Sequence, residues 1–92
     1  MNHTIYKYRI PGVGRVQRSM PKGAKCLCVN EQGGTTFVWA LVDPAAEPEI
    51  RTFLAVETGV PDVPPDSRYL GTALLEGGQY VLHIFELEKL AE

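Results

Sequence analysis

The chain has 92 residues, 45% of them hydrophobic and 22% charged, with a formal net charge of −2. That composition excludes a disordered or fibrous chain and fits one globular domain, whose single core shields roughly 60–65% of the unfolded surface. No apolar run approaches the roughly 20 residues that cross a bilayer as a helix, and residues 1–9 lack the apolar stretch of a secretory leader, so a cytoplasmic protein is expected.

Residues 4–10 alternate Tyr6, Tyr8 and Ile10 against Lys7 and Arg9, which predicts a half-buried strand. Pro11-Gly12-Val13-Gly14 breaks it, because proline removes a backbone donor and glycine admits positive φ. Residues 15–20 alternate Val16, Arg18 and Met20 against Arg15, Gln17 and Ser19, a short edge strand closed by the turn Pro21-Lys22-Gly23. Residues 24–30 and 35–42 flank Glu31-Gln32-Gly33-Gly34 and read as a hairpin; residues 69–75 and 79–87 flank Glu76-Gly77-Gly78 and read as a second. The second strand of each is apolar on both faces, a pattern expected of a central strand covered on both sides. Trp39, the sole tryptophan, is therefore expected in the core, with the floor of a pocket as its other role.

Between the hairpins, Asp43 and Pro44 have the chemistry of a helix start, but Pro48 argues against its continuing. Residues 49–56 alternate as a strand, residues 59–67 with three prolines form a loop, and residues 88–92 read as a frayed tail. The expected architecture is mainly β: one domain over residues 1–92 with six or seven antiparallel strands and no long helix. It forms a compact, partly open barrel in the first instance or a sandwich in the second, with an edge strand that a second copy could cover.

Charge is unevenly placed. Residues 1–30 contain Lys7, Arg9, Arg15, Arg18, Lys22 and Lys25 with no acid, giving +6, and the remainder sums to −8. The first expectation is that basic strands pair across a sheet with acidic ones. The other is an anion-binding half, for which Arg15, Arg18, Lys22 and Arg51 are the candidate ligands. Tyr6 and Tyr8 interleaved with Lys7 and Arg9 are the residue types that hold single-stranded nucleic acid, but the acidic remainder opposes that use.

The sequence assigns no catalytic residue, cofactor or metal, and an enzyme is not expected. Gly12-Val13-Gly14 lacks the third glycine and the following helix of a dinucleotide-binding turn. Cys26, Cys28, His3 and His83 lack the spacing of a structural zinc site, and His83 is expected as a hydrogen-bonded core histidine. No motif brings Cys28 and His83 together as nucleophile and base, and Asp62, Asp66, Glu47 and Glu49 fall in proline-rich, solvated segments. On a regular strand Cys26 and Cys28 would leave one face with Cα atoms about 6.5–7 Å apart, at or past the limit for a disulfide, so reduced thiols are expected.

Six stretches carry a family resemblance: Ile5-Tyr6-Lys7-Tyr8, Met20-Pro21-Lys22-Gly23-Ala24-Lys25, Trp39-Ala40-Leu41-Val42-Asp43, Arg51-Thr52-Phe53, Tyr69-Leu70-Gly71-Thr72 and His83-Ile84-Phe85-Glu86. In order and spacing they resemble a family of small bacteriophage and prophage proteins of unknown function, over nearly the whole chain except Pro11 to Arg18, which fits less well. The resemblance implies a virus-borne domain in a host cell and carries over no functional residue. Small viral proteins without catalytic machinery act by occupancy. The leading expectation is a non-enzymatic binding protein that covers a host protein surface and interferes with a host process, antiviral defence foremost, through an exposed edge or the acidic segments 43–49 and 62–66. The second is a homo-oligomer that sequesters a small nucleotide-like anion with Arg15, Arg18, Lys22 or Arg51. The third is a minor structural or assembly component of the phage particle. Nucleic acid and membrane are not expected partners.

Overall fold

A computed structural model describes residues 2–88. In chain order its strands are β1 (Thr4–Ile10), β2 (Gly14–Pro21), β3 (Lys25–Gln32), β4 (Thr35–Val42), β5 (Pro48–Glu57), β6 (Arg68–Leu75) and β7 (Tyr80–Glu86). All pairings are antiparallel; one sheet has the order β1-β4-β3 and the other β2-β5-β7-β6. A short 3-10 turn over Glu76–Gly78 is the helical segment, and no helix among the described residues is long and apolar enough to cross a membrane. Of the expected tail, residues 89–92 lie outside the described residues.

Local chemistry sets the turns. Gly33 and Gly34 both hold positive φ (61° and 84°), so Glu31 and Gln32 extend β3 and the expected four-residue loop contracts to two glycines. That backbone twist matches the twist of the strands it joins. No helix starts at Asp43. Its carboxylate accepts from the Ala45 N–H at 3.0 Å and its carbonyl from the Ala46 N–H at 3.0 Å, which closes a turn before Pro48 enters β5.

The sheets do not close into a barrel because of how the chain changes layers. Both β2–β3 and β4–β5 pass from one sheet to the other at a shared corner, where the Lys22 N–H donates to the Glu47 carbonyl at 2.7 Å. The ladder pairs Pro21 with Pro48 on one side of the corner and Lys25 with Leu41 on the other. The result is one long hairpin folded over itself, its halves lying in opposite layers of a sandwich. Phe53, Ile10, Met20, Leu82, Ile84, Val38 and Val42 fill the space between the layers and are fully buried.

At the far side β6 rests on β3. A Cβ built on Gly71 would lie 2.9 Å from Val29 Cβ and 3.2 Å from Val29 Cγ2, so only glycine permits this approach. The molecule measures 41 × 34 × 16 Å. A 16 Å thickness holds two sheets about 10 Å apart with their pleat and twist, and no third layer.

Several sequence expectations are corrected here. β4 and β7 are central in their sheets as the apolar pattern implied, but no described element packs over the second face of β4, and Trp39 on that face is half-exposed rather than in the core. Basic β2 does pair with β5, which carries Glu49 and Glu57, but opposite charges do not face each other: Arg18 faces Arg51 and Glu49 faces Met20, while basic β1 pairs with uncharged β4. Cys26 and Cys28 do not share a face. A bulge at Leu27 sets Cys26 opposite Ala40, toward the core, and Cys28 opposite Trp39, toward solvent; both thiols are free.

Candidate functional site

Strand alternation divides β4 cleanly. Thr36, Val38, Ala40 and Val42 face the core, and Thr35, Phe37, Trp39 and Leu41 face outward. Across the register the outer row meets Ile5, Lys7 and Arg9 of β1, which oppose Leu41, Trp39 and Phe37 in turn. On the other flank Lys25, Cys28 and Asn30 of β3 oppose Leu41, Trp39 and Phe37, and bulged Leu27 is exposed beside them. The outer face of the three-stranded sheet is therefore an aromatic and aliphatic stripe between basic margins, and the register places no acid on it.

The stripe is organised from within. The Phe37 and Trp39 rings pack at 5.8 Å between centroids, and the Lys7 ammonium lies 4.5 Å above the Phe37 ring. Lys7 also donates to Gln32 Oε1 at 2.7 Å, which holds its head over the ring. Ile5 and Leu27 stay 55% and 45% exposed at the two margins.

The opposite layer carries a polar chain. His83 lies on the outer face of β7, between Val56 of β5 and Thr72 of β6. Thr58 Oγ1 lies 2.7 Å from His83 Nε2, Thr72 Oγ1 lies 3.0 Å from Nδ1, and the Tyr69 hydroxyl lies 2.6 Å from Thr72 Oγ1. A neutral imidazole has one donor and one acceptor nitrogen, so the two threonines must play opposite roles toward it. His83 is thus hydrogen-bonded as expected, but at a surface and half-buried. Among the described residues no three His, Cys, Asp or Glu side chains gather as a metal site requires.

The candidate anion ligands do not converge as a group. Arg51 is committed to structure: its guanidinium forms a two-pronged ion pair with Glu86, donates from Nη1 to the Ala24 carbonyl at 2.8 Å, and lies 3.6 Å from Glu49. It spans from β5 to the start of β3 and so ties one layer to the other. The Glu86 hydrogen bond, opposed by partial burial, raises the Arg51 pKa above its ordinary value. Cys26 lies 3.9 Å from Arg51 Nη2; burial, followed by the Glu86 charge, pushes its thiol pKa up. Arg15 shares with Arg51 a shallow cleft of about 630 Å³ that Arg68 also lines, but Glu49, Glu86 and Glu88 line it equally. Arg18 donates to the Arg9 and Gln17 carbonyls at 3.0 and 2.8 Å, and Lys22 sits at the corner turn and does not line that cleft.

The sequence reading missed Phe37, Leu41, Ile5, Lys25 and Leu27 as members of one surface. The available signal was a doubly apolar β4 in a chain with too few elements to cover both its sides.

Fold and surfaces together define a small two-layer antiparallel β protein with an open, basic-rimmed aromatic face. The chain belongs to the family described as a domain of unknown function (DUF7352), whose profile matches residues 1–92. No curated protein and no solved structure matches it.

Proposed function

We propose that this is a non-enzymatic binding domain that uses the outer face of the β1-β4-β3 sheet to cover an acidic patch on another protein. The observation that carries this reading is the Phe37-Trp39-Leu41 stripe, left without a covering layer and bordered by Lys7, Arg9 and Lys25. Apolar area surrounded by like charge is the makeup of a docking surface: the stripe supplies burial and the margins supply steering and choice of partner. Phe37 already has a cation over its ring, and Ile5, Leu27 and Leu41 offer aliphatic area that bases do not need. Both features favour a protein over single-stranded nucleic acid, as does the −8 balance of residues 31–92. The likeness to phage-borne sequences supports a host protein as the partner and interference with a host process as the outcome.

Trp39 is the only tryptophan and sits in the middle of the face, so it reports occupancy directly. The test is capture from a bacterial lysate, purification of the captured protein, and titration followed by Trp39 fluorescence. The expected result is a blue shift with loss of acrylamide quenching, abolished in a Lys7→Glu/Lys25→Glu variant of unchanged melting temperature. A captured protein that leaves Trp39 emission unchanged, or binds the charge-reversed variant equally well, overturns the assignment.

A further inference from the structure

The two sheets end in four edge strands, and three of them are blunted. β3 and β6 stack on each other along one side, and each is broken by a bulge, at Leu27 and at Leu70. A bulge bends an edge away from a straight partner. On the other side Arg18 covers the middle of β2, where its Nη1 donates to the Gln17 carbonyl at 2.8 Å. That carbonyl points off the sheet. Gln17 faces Thr52, which turns its own carbonyl the opposite way, to the Leu87 N–H at 2.9 Å. The fourth edge is β1, which pairs with β4 from Thr4 to Ile10 without a register shift.

The turn at Gly33-Gly34 decides which backbone groups of β1 are open. Gln32 and Thr35 flank that two-residue turn and exchange backbone bonds, so Thr35, Phe37 and Trp39 turn their N–H and C=O groups to β3. Thr36, Val38 and Ala40 turn theirs to β1, where they meet Ile10, Tyr8 and Tyr6. The alternate residues Ile5, Lys7 and Arg9 are left with backbone groups aimed off the sheet. The Arg9 carbonyl agrees with this parity: it accepts at 3.0 Å from Nε of Arg18, which belongs to the other sheet. Among the described residues nothing bonds to the Ile5 and Lys7 backbone on that side. The side chains of Lys7 and Arg9 are exposed along the same edge, and no acid faces them in the β1–β4 register.

We propose that β1 receives an extended strand of a different protein, with acidic residues at the positions facing Lys7 and Arg9, so that the three-stranded sheet grows by one. This rests on the reading of that sheet as a docking surface and specifies the acidic patch it meets. Backbone bonds to Ile5 and Lys7 supply the attachment, and the two cations supply the choice of sequence. Residues directly opposite an outward-pointing one exchange bonds with it, so each acid facing Lys7 or Arg9 turns its own N–H to β1. The residues between them turn theirs to solvent. A second copy does not fit this edge. The antiparallel register that uses Ile5, Lys7 and Arg9 together sets Lys7 against its own counterpart, a like-charge pair. The edge strands of this chain also lack the acids: β1, β2 and β6 have none, and β3 has Glu31 alone.

Amide hydrogen exchange followed by NMR tests this on the whole chain. The probe is a synthetic peptide of about eight residues, the length of an ordinary strand, alternating Glu and Thr and blocked at both ends. In the free protein the Ile5 and Lys7 amides should exchange fast, while Tyr6 and Tyr8, bonded to β4, stay protected. Peptide at up to about 1 mM should slow Ile5 and Lys7 by at least about twofold, the effect of half occupancy by a weak link. N-methyl groups on the Glu amides should abolish the slowing, and N-methyl groups on the Thr amides should leave it intact. A peptide alternating Lys and Thr should do nothing to the parent and should slow the same amides in Lys7→Glu/Arg9→Glu. Absence of slowing by the Glu peptide overturns the proposal, as does slowing indifferent to which amides are methylated. So do Ile5 and Lys7 amides protected in dilute free protein, or protection that rises with protein concentration alone, the mark of a second copy. A captured protein that shifts Trp39 emission without slowing Ile5 and Lys7 overturns strand addition and leaves the outer face as the docking surface.

Discussion

Gly71→Ala probes the close approach of β6 to β3 across the two layers. The added methyl carbon would arrive 2.9 Å from Val29 Cβ, 3.2 Å from Val29 Cγ2 and 3.5 Å from the Val29 amide nitrogen. Two of these atoms belong to a rigid part of the neighbour, so relief requires β6 and β3 to move apart rather than one rotamer to turn. Overpacking of this kind costs about 1–3 kcal/mol. Gly71 is not held at positive φ, so alanine also removes conformational freedom from the unfolded chain, a gain of about 0.4–1 kcal/mol. The balance is a loss of about 1–2 kcal/mol, which for a domain this size lowers the melting temperature by about 5–15 °C. The urea midpoint should fall by about 1–2 M at constant slope. Adding Val29→Ala removes the 3.2 Å contact and leaves the 2.9 Å one, so rescue should be partial. An alanine variant as stable as the parent would refute the close approach of β6 to β3.

Other perturbations test the remaining interactions. Arg51→Met strands Glu86 and the Ala24 carbonyl and should cost about 2–4 kcal/mol by denaturant titration, while Arg51→Met/Glu86→Leu should recover most of that; equal losses in the two would contradict the pairing. Thr36→Val replaces a hydroxyl that is 2% exposed and has no partner, and it should raise stability by about 1 kcal/mol, visible as a higher melting temperature. Iodoacetamide followed by mass spectrometry should label exposed Cys28 well before Cys26, whose thiol burial keeps protonated; simultaneous labelling would deny the bulge at Leu27. Because the folded state holds the Cys26 proton more tightly than the unfolded state does, stability should decline as pH rises past the ordinary thiol value of 9.0. Cys26→Ala should lessen the slope there.

Period-two hydrophobicity made most strands legible. It marked β1, β2 and β5 by their alternation and β4 and β7 by their doubly apolar runs, and paired glycines located both hairpin turns. The same signal does not say which strand lies beside which, since alternation fixes a strand's faces and leaves its neighbours open. The corner was hidden because Pro21-Lys22-Gly23 and Asp43–Pro48 each read as an ordinary turn. Only their mutual hydrogen bond makes them a joint bend. The bulge at Leu27 was equally silent: one extra residue reverses the parity of the strand without needing a glycine to mark it. β4 misled for a physical reason, in that a second apolar face reads the same whether a layer of the protein covers it or leaves it open. For the site, Lys7 and Arg9 were visible as one face of β1. Their neighbours Phe37 and Trp39 come from a distant strand that only the register brings alongside.

The folded-over hairpin has a mechanical consequence. Two layers that merely touch can slide or be peeled apart one at a time, but here the same pair of strands is woven through both. Separating the sheets would tear the ladder at Pro21, Lys22, Glu47 and Pro48 before it exposed the interior. Neither half can therefore melt by itself, and the domain should yield to force or heat as one piece.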